Sequence, residues 1–489
     1  MDANIGARAG ADTVATVNFA DADAAKKTGN VETPVGVASV AKAAAPAAAP
    51  AAAPAPEAND QGSYFPPPPA IPTQLDDSGL LRFDFNDGFR IHVPQGPDVW
   101  RIRLSDLDTG NILFQTTPDF RGGSVRSAKK YYVRFRIEAW QADELVFTHD
   151  YDAAGRDVLI AFPVGTLGDT IAWLSYAVRF AEAHKCDLTI AMAKLLIPLF
   201  AAAYPDIRFV DTRAIKPDDE FYATYRVGLF YNDVERIHQP VDFRHVGLHR
   251  TAAHILGLDP AEAPPRLAVK DAGRPIAEKY VVIATQATTQ TKYWNNPYGW
   301  REIVSFLKAA GYRVFCIDQK PVHGAGIVWN HMPAGAEDMT GDLPLEDRVR
   351  WIRHAEFFVG LASGLSWLAW ACGARVVMIS GFSLPNTEFE TPYRVINYHA
   401  CVGCWNDPAL RFDNRDFLWC PRHAGTPRQF ECTHLITAEQ VKQAIRRIPG
   451  FPQNAHANEA SSRKSNEATN EASNEASSPS PRRKLKVDA

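Results

Sequence analysis

What the chain has little of narrows the field first. Over 489 residues it carries almost no excess of charge, 52 Lys and Arg against 56 Asp and Glu for a net of −4. Holding a nucleic acid by neutralising its backbone needs a basic surplus, so that class is disfavoured; only the tip Arg482-Arg483-Lys484-Leu485-Lys486 is locally cationic. Long apolar runs are missing too. The longest, Ile190 to Tyr204, is broken by Lys194 and Pro198 and falls short of the ~20 residues of a membrane span. The start, Met1-Asp2-Ala3-Asn4, has no basic stretch leading into an apolar one, as a secretory leader would, so the expected compartment is the cytoplasm. Cysteines are few. Of seven, Cys186, Cys316 and Cys372 are scattered, and Cys401, Cys404, Cys420 and Cys432 cluster. In a reducing compartment such a cluster points to a metal rather than to disulfides.

Aromatics are nearly absent from both ends. Residues 1–77 are Ala/Pro-rich, and residues 451–489 repeat Asn-Glu-Ala-Ser/Thr; neither end has enough apolar surface to repay ordering, so both are expected to be disordered tails. What lies between has the 46% hydrophobic, 22% charged balance of a globular enzyme. Residues 78–152 alternate with period two, as in Leu81-Arg82-Phe83-Asp84-Phe85, Trp100-Arg101-Ile102-Arg103-Leu104 and Tyr131 to Ile137. Asn86-Asp87-Gly88 and Asp108-Thr109-Gly110 stand where hairpins turn. This predicts a small antiparallel β domain, barrel or sandwich.

From there the period lengthens. Val158 to Val164 reads as a buried strand, followed by a Gly-containing loop and a helical face of Ile171, Leu174, Ala177, Val178 and Ala181. The pattern recurs at Tyr280 to Ala284 and at Phe357 to Leu361, each time strand, loop, helix, strand. Two doubly wound α/β halves follow, 153–270 and 271–450, divided where Pro264, Pro265, Gly273 and Pro275 gather.

Four positions invite chemistry. Cys401-x2-Cys404-x15-Cys420-x11-Cys432 suits a tetrahedral cation, within a finger over 399–434; thiolates alone permit zinc or iron, and no ligand position is left open for catalysis. Gly165-Thr166-Leu167-Gly168-Asp169 lies between strand and helix, its glycines letting a substrate approach. Asp169 could act there as a general base, or simply cap the helix. Ala362-Ser363-Gly364-Leu365 offers amides at a helix start for a phosphate, or is only a turn. Lys292 places a cation between the halves, or is merely solvated.

In this order, Val164 to Thr170, Lys292-Tyr293-Trp294 and Val359 to Ala369 resemble the signature stretches of the ADP-heptose-dependent glycosyltransferases that build the lipopolysaccharide inner core. The cysteine cluster is similar instead to the iron finger of the bacterial autotransporter heptosyltransferases, the TibC-like family, which also carry an N-terminal β domain. The resemblance covers about residues 78–450. It implies an α/β, GT-B glycosyltransferase with two Rossmann-like halves, which moves heptose with inversion from ADP-glycero-manno-heptose to serine hydroxyls of autotransporter adhesin passengers. It also implies a dodecamer with one structural iron per chain, zinc being the alternative, and neither a membrane span nor a nucleic-acid partner. By position, Asp169 would be the base, Lys292 the diphosphate partner, Ser363, Gly364 and Leu365 the nucleotide cradle, and the four cysteines the metal ligands. Thr166, Leu167, Gly168, Gln286 and Thr288 would lie near the sugar nucleotide, with Lys320, Gly341 and Glu388 placed there by loop position. Where the lipopolysaccharide enzymes carry Asp-Thr-Gly-x-x-His, this chain has Ala362-Ser363-Gly364-Leu365-Ser366-Trp367, which favours a protein acceptor over a lipid sugar. A four-cysteine nucleic-acid module, with Arg411, Arg415, Arg422, Arg428, Trp405 and Trp419 between the knuckles, is the remaining alternative, against the overall charge.

Overall fold

The computed structural model describes residues 65–163 and 165–452, together with the backbone of Val14–Val17. The repeats after residue 452 and most of the Ala/Pro-rich start lie outside the described residues.

Two small sheets form the N-terminal part. One is ordered Val14–Val17, Gly123–Ser127, Arg90–Val93, Arg82–Asp84, Gln74–Leu75; the other Ile112–Gln115, Trp100–Asp106, Phe135–Gln141, Glu144–Asp150. Pairing is antiparallel except at Val14–Val17. Alternation does the work expected of it: Trp100, Ile102 and Leu104 are buried, as are Phe135, Ile137 and Ala139 opposite them, while the residues between face outward. The strand read from Tyr131 starts only at Phe135. Tyr132 is drawn away because its N–H donates to Ile255 O (2.9 Å) and its ring meets Phe180 and Tyr225 of the first α/β half. Aromatic burial against a second domain outweighs the local β preference.

The tail boundary at 77 also moves. Phe65 is buried against Phe230, Arg226 donates to Pro66 O, and Thr73 donates to Phe221 O at 2.7 Å. Likewise Phe451 is buried among Phe306, Tyr312 and Phe357. One aromatic is enough to attach a Pro-rich segment whose average composition hides it.

The strand order of the two parallel sheets explains where a ligand would go. In the first it runs Arg208–Asp211, Asp187–Met192, Asp157–Ala161, Ala223–Arg226. In the second it runs Glu337–Asp338, Arg313–Cys316, Tyr280–Ile283, Phe358–Leu361, Val376–Ile379, Arg394–Val395. In chain order both begin 3-2-1-4, so each reverses beside its first strand, and ligands of such sheets sit beyond the strand ends at that reversal. The loops leaving first strands carry Asp169 and Lys292; the loop leaving Phe358–Leu361 carries Ser363 and Gly364. The periodicity predicted three of the helices, Leu167–His184, Gly299–Ala309 and Gly364–Ala371, and missed Leu248–Leu256, Leu345–Arg353 and Ala438–Arg446. Gly311, at φ +89°, follows the C-cap Ala310 as the spacing predicts.

The two halves meet directly. Leu248 N–H donates to Thr387 O (2.9 Å), and a Cβ on Gly247 (φ +93°) would lie 1.8 Å from Asn386 O, so no other residue fits there without displacement. Among the described residues no helix is long and apolar enough to cross a membrane.

Candidate active site

Thr166, extended at φ −83° and ψ 166°, caps the helix Leu167–His184, and Asp169 is its third residue. The carboxylate Oδ2 accepts from Thr166 N–H (3.2 Å) and from Thr166 Oγ1 (2.9 Å). Capping and a chemical role are therefore compatible: both bonds use one oxygen, and no hydrogen bond to Oδ1 is described. Burial pushes the carboxyl above its ordinary range, while the Thr166 bonds and the Lys292 charge pull it back.

Across the cleft the turn Gln290–Lys292 presents Lys292. Its ammonium lies 5.2 Å from the Phe382 ring centroid, 5.7 Å from Phe412 and 5.8 Å from Trp405. It forms no described ion pair. Desolvation draws its pKa below the usual lysine value, opposed by Asp169 and Glu388. Glu388 is itself satisfied, Oε2 by Arg394 at 2.8 Å and Oε1 by the Ser383 hydroxyl at 2.6 Å.

These groups share one interdomain cavity of about 470 Å³, open mouth included. Thr166, Gly168, Asp169 and Leu248 line it from the first half; Lys292, Ala362, Ser363, Gly364, Trp367, Phe382, Ser383, Thr387, Glu388 and Trp405 line it from the second. The helix Gly364–Ala371 starts two residues before the expected Ser366, which makes Gly364 and Leu365 its first two residues, with amides that have no described partner. The Ser363 amide is already committed to Leu361 O at 2.8 Å, so of the expected cradle it is the Ser363 hydroxyl, buried without a partner among the described residues, that remains available.

Gly168 serves differently from the expectation. A Cβ there would come within 3.0 Å of Trp367 Cδ1 and 3.4 Å of Gly364 Cα, and one on Gly364 within 3.3 Å of Gly168 N. The glycines thus admit each other's helices, and only indirectly a substrate. Gln286, Thr288, Lys320 and Gly341 do not line this cavity, and neither do Leu167 or Leu365. Three of them group instead at the neighbouring strand ends: Gln286 N–H donates to the buried Asp318 (3.2 Å), Gln286 Nε2 to Lys320 O (2.5 Å), and Gly341 N–H to Gln319 O (3.1 Å). Thr288 is exposed beside them.

The sequence reading missed Leu248, Trp367, Phe382, Ser383, Thr387 and Trp405 as cavity residues. Phe382 and Ser383 follow strand Val376–Ile379 and were open to the strand-end rule already applied to Ser363; Trp405 is the neighbour of Cys404. Leu248 and Thr387 carry no signal short of the fold.

The cysteine-rich loop reaches the same cavity through Trp405, next to Cys404. Cys404, Cys420 and Cys432 are buried, Cys401 is half-buried, and all four are free. They are neighbours: burial, then the other thiols, pushes both Cys404 and Cys432 up to about 12. Arg422 approaches Cys401 Sγ at 3.7 Å. The tightest convergence of potential ligand atoms among the described residues is a different set, Cys401, His423 and Glu431, within 4.8 Å of one another. Glu431 is engaged elsewhere, accepting from Arg428 (2.7 Å) and from Cys401 N–H (2.9 Å).

Comparison with known proteins gives the same frame. Residues 78–143 match the family described as Glycosyltransferase TibC, N-terminal domain, and residues 224–413 match Glycosyltransferase family 9 (heptosyltransferase). The autotransporter heptosyltransferase BAHTCr of Citrobacter rodentium is 54% identical over 79% of this chain and 93% of its own length; TibC of Escherichia coli O78:H11 is 52% identical over 79% and 94%. A relative at 46% identity over 81% of this chain and 93% of its own, BimC of Burkholderia thailandensis, is described as inactive, so relatedness does not by itself carry activity. The crystal structure of the iron-containing dodecameric TibC superposes with a TM-score of 0.73 at 53% identity, covering 78% of this chain and 98% of that one; its complex with ADP-D-beta-D-heptose gives the same TM-score at 52% identity and the same coverage. On sequence and fold together, the chain belongs to the autotransporter heptosyltransferase family of glycosyltransferases.

Proposed function

We propose that the protein transfers heptose from ADP-glycero-manno-heptose to serine hydroxyls of an autotransporter passenger, with inversion, in the cytoplasm. One observation carries the reading: a carboxylate with an uncommitted oxygen and an ammonium without an ion pair face one cavity from opposite halves of the fold. Asp169 Oδ1 takes the serine proton as the hydroxyl oxygen bonds to the anomeric carbon, and the bond from that carbon to the phosphate oxygen breaks, its electron pair leaving with ADP. Lys292, the Gly364 amide and the Ser363 hydroxyl meet the charge gathering on the diphosphate. The second group, Gln286, Thr288, Lys320 and Gly341, lies where the adenosine end would extend.

The four cysteines suit iron: they are unpaired, mutually close and carry the soft donors it favours. Bound there, iron would cross-link an otherwise irregular loop. The crystallised relative is iron-containing and dodecameric, and by analogy we assign iron and a dodecamer to this chain; one four-cysteine set per chain gives one iron per chain. The test is intact-mass analysis of a passenger co-expressed with the protein. Additions in heptosyl multiples, absent with Asp169→Asn, are expected; an unmodified passenger beside a heptosylated lipid would transfer the reading to the lipopolysaccharide branch.

A further inference from the structure

The strand-end loops supply most of the cavity, but two of the rings around Lys292 come from the cysteine-rich loop. Trp405 directly follows Cys404, and Phe412 lies before Cys420. With Phe382 they touch one another, at 5.5 Å between Phe382 and Trp405, 5.3 Å between Phe382 and Phe412 and 5.4 Å between Trp405 and Phe412, backed by Trp419, Tyr231 and Phe243. The turn bearing Lys292 is tied to the same loop through its backbone, Gln290 N–H donating to Phe417 O at 2.8 Å, and Trp405 N–H donates to Phe382 O at 3.1 Å.

A desolvated ammonium needs a counter-charge or a substitute for one. Neither nearby carboxylate is described as ion-paired with Lys292: Glu388 is engaged by Arg394 and Ser383, and Asp169 holds Thr166 through Oδ2, so both act on the ammonium only through space. Ring faces attract a cation within about 6 Å without bringing a formal negative charge. The cation they hold therefore gains support without a contact ion pair that an anion arriving in the cavity would have to displace.

We propose that Trp405, with Phe412 and Phe382, is a positioning residue for the donor diphosphate: the rings aim Lys292 into the cavity without adding a formal negative charge, so the cysteine-rich loop sets donor affinity as well as local fold. This rests on the reading that an ADP-sugar occupies the cavity.

The test titrates the full-length, metal-loaded protein with ADP and, separately, with adenosine. Trp405→Leu should weaken ADP about five- to thirtyfold, the equivalent of a cation–ring contact of about 1–2 kcal/mol, and leave adenosine unchanged. Trp405→Phe should recover most of the loss. In a Lys292→Met background, Trp405→Leu should change ADP affinity less than about twofold, because the cation it positions is gone. Equal weakening of ADP and adenosine, or the same loss in both backgrounds, would reduce the rings to an ordinary apolar cluster and overturn the proposal. Iron per chain and particle size are measured first; if Trp405→Leu loses either, Phe412→Leu is judged by the same criteria. A wild-type protein that binds no ADP removes the donor reading and this inference together. Wild-type binding with an unaffected Trp405→Leu removes the inference alone.

Discussion

The two walls of the cleft hold opposite charges by opposite means. On the first wall Asp169 is fixed by hydrogen bonds to its own helix cap, which occupy one oxygen and orient the other. On the second, Lys292 is fixed by rings and by the geometry of its turn, and hydrogen bonding is left to whatever enters. The difference follows from the two tasks. A base must be pointed and kept ionisable, and a bond to half of the carboxylate does both. A group meant to receive a phosphate must remain unsatisfied until the phosphate arrives, at the cost of desolvation, which is why its pKa is lowered.

Breaking the first wall should have the largest effect. Asp169→Asn can still accept from Thr166, so the helix cap and the fold are expected to survive, while transfer falls about 10²- to 10⁴-fold, the usual weight of a positioned base. Circular dichroism and single-turnover transfer measure the two halves of that statement. Turnover near wild type would take Asp169 out of the mechanism.

Lys292→Met breaks the second wall and should lower kcat/KM about 10²- to 10³-fold. The pH profile sharpens the comparison further. Burial raises the Asp169 pKa and lowers that of Lys292, so the base ionises later and the cation discharges earlier than their free counterparts. Activity should accordingly rise through an acid limb above the ordinary carboxylate range and decline through an alkaline limb below the ordinary lysine range. In the residual activity of Lys292→Met the alkaline limb should disappear. The acid limb should shift to higher pH, because the positive charge that lowers the Asp169 pKa has been removed. An acid limb left in place would mean that the two walls do not sense each other.

The cysteine-rich loop touches both walls, Trp405 meeting Tyr231 and Phe243 of the first half as well as Phe382, but it reaches a charged group of the cleft only at Lys292, which gives a smaller and more local prediction. Cys420→Ser should abolish bound iron and loosen donor binding, whereas His423→Gln should keep the iron, as measured by metal analysis of the purified particle. The reverse result would assign the metal to the Cys401, His423 and Glu431 group, whose ligand atoms lie closest together.

How much of this was visible in the chain depends on whether the signal was local. Asp169, Lys292 and Ser363-Gly364 follow buried strands, and a strand ending in a loop can be read from a dozen residues. The β-rich start was legible for the same reason, since alternation fixes which face is buried. What stayed hidden depends on distant partners. Tyr132 leaves the expected strand for a pocket built by Phe180 and Tyr225, and Phe65 looks like part of a tail until Phe230 is beside it. Trp405 was noticed as a stacking surface between cysteines, yet its role toward Lys292 exists only once residues 290 and 417 are bonded. The strands Arg208–Asp211 and Ala223–Arg226 and the hairpin Val322–Ala325 to Val328–His331 mix polar residues or glycine into four-residue segments, and so lack the continuous apolar run that marks the equally short Tyr280–Ile283 and Val376–Ile379.

The smallest expected effect lies where the walls touch. Gly168 and Gly364 bring the two helix starts together, and a methyl on Gly168 would meet Trp367 Cδ1 at 3.0 Å, tighter than ordinary contact. Trp367 is buried against Phe389 and Trp370 and cannot swing away, so the halves must part by a few tenths of an ångström. Such a shift alters the span from Asp169 to the diphosphate site while leaving the Asp169 carboxylate and the Lys292 ammonium in place. Gly168→Ala should therefore leave the adenosine affinity unchanged and lower kcat about three- to tenfold, in proportion to the ~100-fold that a 1 Å misplacement of reacting groups can produce. A loss appearing in adenosine binding instead would show that the contact maintains the second half itself, and that the distance between the walls is set elsewhere, at Gly247 and Leu248 against residues 386 and 387.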